Sequence, residues 1–184
     1  MPRESILSGR EAAHGRNAGP GSRATSADLH AAANVRRDDR VLHARGNCTD
    51  LIVNAVGGAK TSILVQAYSF TSAPIAKALL DAHKRGVQVQ VILDKSQRTE
   101  KYSSADFLAN QGVPTKIDAA HAISHNIDAE TVSTGSFNVT KAAQEKNAEN
   151  VLILRDQALA AQYTQNWQAH AQHNQPYVGR GVRP

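Results

Sequence analysis

The stretch His125-Asn126-Ile127-Asp128-Ala129-Glu130-Thr131-Val132-Ser133-Thr134-Gly135-Ser136-Phe137-Asn138 decides how the rest of the chain is read. It sets an imidazole and a carboxylate ahead of a short β-branched run and a Gly-Ser-Phe-Asn turn. Histidine has an unperturbed pKa near neutrality, so it can serve as nucleophile, acid and base in turn. Plainer readings stand beside this one. A histidine next to an asparagine is commonly a structural or surface residue, and Ser136 or Asn138 can cap a helix from Val139 to Glu145. A helix start at that point would also favour an anion.

On both sides of this stretch, helical and strand-like segments alternate, each bounded by Ser, Thr, Asp or Gly, which is an α/β pattern. Thr49 is placed to cap a helix through Val56 that Gly57 and Gly58 end, and Ser62 to Tyr68 is an apolar, β-branched strand. Ser72 caps the next helix, with Pro74 in its first turn; Ile75, Ala78, Leu79 and Ala82 share one face, and Gly86 stops it. Val87 to Leu93 alternates as a strand. Ser104 caps a short helix through Asn110, and Val113 to Ile117 is a strand placed near an edge by Pro114. Glu149 to Leu154 is the last strand. Asp156 caps a final helix to about His173, with Leu159, Ala160, Tyr163 and Trp167 inward, and Asn174 to Pro184 reads as loose. The expected architecture is a mixed, mainly parallel sheet flanked by helices.

The chain of 184 residues is 41% hydrophobic, enough for one domain with a sizeable core. Residues 1–45 are rich in Gly, Ala, Ser and Arg without a period of 2 or 3.6, and are expected to be a disordered basic segment. The domain is assigned to residues 46–180, with 181–184 as a tail. The formal charge of +5 points to an anionic partner, although residues 1–47 carry much of it, with eight arginines against five acids. The single Cys48 excludes an internal disulfide framework and any multi-cysteine metal site. No apolar run approaches the length of a membrane span or of an export signal, so by sequence alone the chain reads as cytoplasmic, with its compartment left unassigned.

The spacing of His125, Asp128, Gly135, Ser136 and Asn138 resembles the HxKxxxxD(x6)GSxN signature of the phospholipase D superfamily. The resemblance extends over Ser62 to Phe70, Asp94-Lys95-Ser96-Gln97 and Asn147-Ala148-Glu149-Asn150, and covers about Gly46 to Arg180. It is closest in character to the small bacterial, single-motif endonuclease branch. What it implies is a phospholipase D-like fold and a metal-independent phosphodiesterase that needs no cofactor. Nucleic acid is the expected substrate and phospholipid hydrolysis an alternative. His125 would attack phosphorus to give a phosphohistidine, Ser136 and Asn138 would bind phosphate oxygens, and Glu149 would hold the imidazole by its second nitrogen. Asp128 and Gly135 would be structural members of the motif. Because one chain carries one motif, the resemblance also implies a homodimer with its active site on the two-fold axis.

The chain departs from the signature at one place. Six residues separate His from Asp in the pattern, but here only Asn126 and Ile127 stand between His125 and Asp128, so four residues are missing and the motif lysine with them. Four strand residues span roughly 13 Å, so the central strand must be shortened or the loop from Asp118 to Ser124 drawn in. The lost ammonium group would have offset charge building up in the transition state. Impaired catalysis is expected, and a noncatalytic phosphate or nucleic-acid binding module is the alternative.

Lys95, Arg98, Lys101 and Lys116 lie near strand ends, where α/β folds gather ligands, and the first three are the candidate substrate-binding residues. With Lys84 and Arg85, they are by default solvated helix and loop ends unless one face collects them. His121 and His125 have the spacing of two metal ligands on a helix, but Ala122 stands where zinc proteases carry a glutamate, and no third ligand is apparent, so no metal is expected. Tyr68, Phe70 and Trp167 are expected in the core rather than stacked on bases.

Overall fold

The computed structural model describes residues 48–120 and 131–181, together with the backbone of 39–43. The elements are β1 (Asp39–His43), α1 (Cys48–Gly58), β2 (Ser62–Ala67), α2 (Ala73–Lys84), β3 (Gln88–Asp94), a 3-10 turn (Lys95–Arg98) and α3 (Ser104–Asn110). They continue through β4 (Thr115–Asp118), β5 (Val132–Gly135), α4 (Lys141–Lys146), β6 (Glu149–Leu154), α5 (Gln157–Ala171) and β7 (Gln175–Pro176).

Among the described residues the strands form two sheets, ordered β1-β6-β5 and β2-β3-β4-β7. In the larger sheet β2, β3 and β4 are parallel and β7 closes the edge antiparallel, whereas both pairings of the smaller sheet are antiparallel. A parallel bridge between Phe70 and Val139 joins the two, with Thr71 and Ser72 both donating backbone N–H groups to the Val139 carbonyl at 2.9 and 3.0 Å. The expected mixed sheet, mainly parallel in its larger part and flanked by helices, is what the chain forms.

Alternation along the strands sorts the core into two faces. Ile63, Val65, Val89, Val91 and Leu93 meet Ile52 and Val56 of α1, Ile75 and Leu79 of α2 and Leu108 of α3 in one apolar cluster. Ile92, on the opposite face, packs against Trp167 of α5. The Trp167 indole N–H also donates to the Val65 carbonyl at 3.0 Å, so α5 is held by a polar as well as an apolar contact.

Several helix ends differ from expectation. Thr49 lies inside α1 instead of capping it, and its N–H and hydroxyl both donate to Gln144 Oε1 at 3.1 and 2.7 Å. A side chain from α4 therefore satisfies the helix start. Ser103, not Ser104, caps α3, accepting the Ala105 N–H. Asp156 caps α5 as expected, accepting from the N–H groups of Ala158 and Leu159. At the other end of α1, the Arg85 guanidinium donates to the carbonyls of Val56 and Gly57, so this cation is tied to a helix terminus.

Two terminal assignments are corrected. Residues 39–43, placed by sequence in the disordered segment, form β1 against β6; the rest of that segment lies outside the described residues. The stretch after Asn174, read as loose, is latched. Gln175 and Pro176 pair with β4, the Tyr177 hydroxyl donates to Asp106 Oδ1 at 2.7 Å, and Arg180 donates to Asp106 from its backbone N–H and its guanidinium. The attraction is a carboxylate on α3, about 70 residues away in the chain, which no local pattern reveals.

Candidate active site

Parallel pairing of β2, β3 and β4 brings their carboxyl ends to one edge, with Ala67 beside Leu93 and Asp94 beside Asp118. The Phe70 to Val139 bridge adds the segment after β5 to that edge. Tyr68 to Ser72, Asp94 to Arg98, Asp118 and Ser136 to Asn138 therefore gather where open α/β sheets bind ligands.

Ser136 leaves the end of β5 beside the first residues of β6. Its hydroxyl donates to Glu149 Oε2 at 2.6 Å and accepts from the Asn150 backbone N–H at 3.1 Å and the Asn150 amide at 3.3 Å. Its own N–H donates to Asn150 Oδ1 at 3.3 Å. The second carboxylate oxygen of Glu149 accepts from Asn147 Nδ2 at 2.9 Å. Held on both oxygens, by Ser136 at 2.6 Å and Asn147 at 2.9 Å, the carboxyl plane of Glu149 is fixed. Two oxygens offer about four acceptor positions, so Glu149 retains room for a further donor such as an imidazole N–H.

Gly135 is needed for this approach: a β-carbon there would collide with the Asn150 carbonyl. The capping role open to Ser136 and Asn138 falls to Thr140, whose Oγ1 accepts the Ala143 N–H at 3.0 Å. Ser136 and Asn138 both precede the helix and take no part in its cap. The structure thus brings together Gly135, Ser136 and Glu149. It also adds Asn147 and Asn150, to which the sequence reading gave no role, although both flank Glu149 in the Asn147-Ala148-Glu149-Asn150 run.

His125 and Asp128 lie outside the described residues, as does His121 with its two-histidine spacing. The four-residue gap in the signature, with the shortened strand or drawn-in loop expected from it, falls there too. The candidate cations are placed unequally. Lys95 and Lys101 are exposed beside the carboxyl edge, Lys101 lying 5.2 Å from the Tyr102 ring centroid. Arg98 donates to Gln175 Oε1 at 2.9 Å and sits over the Tyr177 ring, so it is engaged in holding the C-terminal segment. Lys116 donates to the Ala171 carbonyl at 2.9 Å and ties α5 to β4.

Phe70 and Trp167 are buried as expected, but Tyr68 is 47% exposed at the end of β2. The alternation that buries Ala67 turns Tyr68 outward, so the expectation of a core residue is corrected. A polar cavity of about 560 Å³ opens at the opposite edge, lined in part by Asn54, Lys60, Thr61, Arg155 and Gln157, away from Ser136 and Glu149. Among the described residues no helix is long and apolar enough to cross a membrane.

Comparison with known proteins agrees with this fold. The sequence profile described as cardiolipin synthase, PLD-like domain, matches residues 52–171. The chain is 44% identical over 124 residues to a Rickettsia conorii protein named phospholipase D, covering 65% of this chain and 62% of that one. It is 32% identical over 115 residues to mitochondrial cardiolipin hydrolase of Xenopus laevis, covering 60% and 55%. The match thus spans less than two thirds of the length of these curated relatives. Among solved structures, the phospholipase D family member Nuc from Salmonella typhimurium superposes with a TM-score of 0.68 at 40% identity, covering 72% of this chain and 91% of that one. NucT from Helicobacter pylori shares the fold, with a TM-score of 0.63 at 23% identity, covering 71% and 91%. The motif from His125 to Asn138, the sheet that presents Ser136 to Glu149 and these matches converge: the chain belongs to the phospholipase D superfamily.

Proposed function

We propose that this chain is a phosphodiesterase that hydrolyses nucleic acid, with no metal in the chemistry and with two copies completing one site. His125 of one copy attacks phosphorus and the P–O bond to the leaving group breaks. The same histidine of the second copy, protonated, gives its proton to the departing oxygen. Water, deprotonated by that second imidazole, then attacks the phosphohistidine and frees the first. Glu149 orients the attacking imidazole and stabilises its cationic form, while Ser136 and Asn138 engage phosphate oxygens, Ser136 by turning its one O–H proton from Glu149 to the phosphate when substrate binds. The observation that carries this reading is the Ser136 to Glu149 hydrogen bond of 2.6 Å, which holds a carboxylate ready at the carboxyl edge of the sheet.

Nucleic acid is favoured by the likeness to Nuc, whose chain is covered to 91%, and by exposed Tyr68 just after β2 and exposed Lys95 just after β3. An aromatic face stacks on any base, and lysines follow a phosphate backbone. The relatives named phospholipase D favour a second reading, phospholipid hydrolysis. The missing lysine favours a third, a binding module without turnover.

One experiment separates them. Purified chain is incubated with single-stranded and plasmid DNA in EDTA, and with phospholipid vesicles, while its association state is followed by sedimentation. Slow, EDTA-resistant DNA cleavage by a dimer, abolished in His125→Ala, is expected. A variant carrying four added residues, with lysine two positions after His125, should cleave roughly 100 to 1,000-fold faster, the usual worth of one preorganised donor. Headgroup release without DNA cleavage would replace the nuclease reading with the lipid one. If the extended variant is also inert while both bind DNA, the binding module stands instead.

A further inference from the structure

The described residues hold a group of three side chains that the phosphodiester chemistry does not use. Asp118, the last residue of β4, is fully buried. Its Oδ1 accepts the Ala120 N–H at 2.8 Å, and its Oδ2 lies 3.9 Å from Nδ1 of His170, beyond hydrogen-bonding range. His170 is in the last turn of α5 and His173 follows the helix, their ring centroids 5.7 Å apart at 69°. One donor atom from each of Asp118, His170 and His173 lies within 4.8 Å of the other two. The Lys116 to Ala171 bond fastens α5 to β4 beside them.

We propose that Asp118, His170 and His173 bind a divalent transition-metal ion of the zinc class, which cross-links the end of β4 to the end of α5. The donor set fits: two imidazole nitrogens and a carboxylate oxygen are ligands a borderline-soft ion accepts, and three protein ligands leave one position for water. Tetrahedral zinc, with bonds of about 2.0–2.1 Å, places its donors about 3.4 Å apart, so the group must contract. His173 is exposed and beyond the helix, and can supply that movement by side-chain rotation. Asp118 is held by the Ala120 N–H and the sheet, and His170 by the helix, so two of the three ligands are preset. The ion is structural, and the phosphohistidine route proceeds without it.

The test uses the full chain, stripped by a chelator and returned to metal-free buffer, then titrated with Zn²⁺ by calorimetry. One ion per chain is expected at micromolar concentration, with the melting temperature raised by roughly 5 to 10 °C at a hundredfold excess over Kd. His173→Ala should abolish both effects, and His83→Ala on α2 should leave both intact. Unchanged fluorescence of Trp167, the single tryptophan, verifies that His173→Ala keeps its fold. Absence of binding at micromolar Zn²⁺, or binding that survives His173→Ala, overturns the proposal. Neither measurement involves turnover, so the result stands apart from the phosphodiesterase reading.

Discussion

Asp106 shows what one carboxylate can organise. Burial pushes its pKa up, but the hydrogen bonds from the Tyr177 hydroxyl, the Arg180 N–H and the Arg180 guanidinium outweigh this and hold it below the ordinary value of 3.8. Burial, then the bond to Asp106, raises the Tyr177 pKa above 10.0. A depressed carboxylate stabilises the fold fully above its unfolded pKa, and that contribution is lost as pH falls through the folded value. A raised phenol contributes fully below its unfolded pKa and loses this as pH rises through the folded value. The latch is therefore intact between about pH 5 and 9 and fails at both extremes. Tyr177→Phe, read by urea unfolding, should cost about 1 kcal/mol in that window, at the low end for a bond to a charged group because the pair is partly exposed. The difference from wild type should shrink as Asp106 protonates below its ordinary pKa.

At the scale of elements, α5 rests on three fixings: the Asp156 cap, Trp167 against Ile92 and Val65, and Lys116 on its last turn. Trp167→Ala removes the largest of these contacts and should destabilise the chain by about 3 to 5 kcal/mol in denaturant titration followed by circular dichroism. The cap and the tryptophan were legible in the sequence, because a helix start is a local signal and an apolar stripe is periodic. So were the parallel strands β2 and β3, whose β-branched residues alternate. The elements that escaped are short or depend on distant partners. β5 has only four residues, two of them polar, and β7 has two, one of them proline. Gln144 satisfies the start of α1 from 95 residues away, which no window along the chain contains. The site divides in the same way. Gly135 and Ser136 were singled out by the spacing of a known signature and Glu149 by the family resemblance beyond it, and the structure places Ser136 against Glu149. Asn147 and Asn150 were not, because an amide's partner is set by how β5 and β6 register.

At the scale of the molecule, the described strands fall into two sheets whose outer members β2 and β5 flank the Phe70 to Val139 bridge. The candidate site draws on both: Ser136 and Glu149, proposed for the chemistry, come from the smaller sheet, and Tyr68 and Lys95, proposed for substrate contact, from the ends of strands in the larger. The site thus depends on how the two sheets meet, and the segment from which four residues are missing lies in sequence between β4 and β5. The far side of the larger sheet is finished differently. β7 covers β4 with two residue pairs, and Pro176, with no N–H to give, cannot extend a ladder outward. It acts as a selvedge that stops the weave from fraying into neighbouring cloth. A chain ending at Asn174 would lose it along with the Asp106 latch, and β4 would offer bare backbone to any extended segment. Such a truncation should scatter light at concentrations where the full chain stays clear, so the few residues held by Asp106 govern how the protein behaves in company as well as how it folds alone.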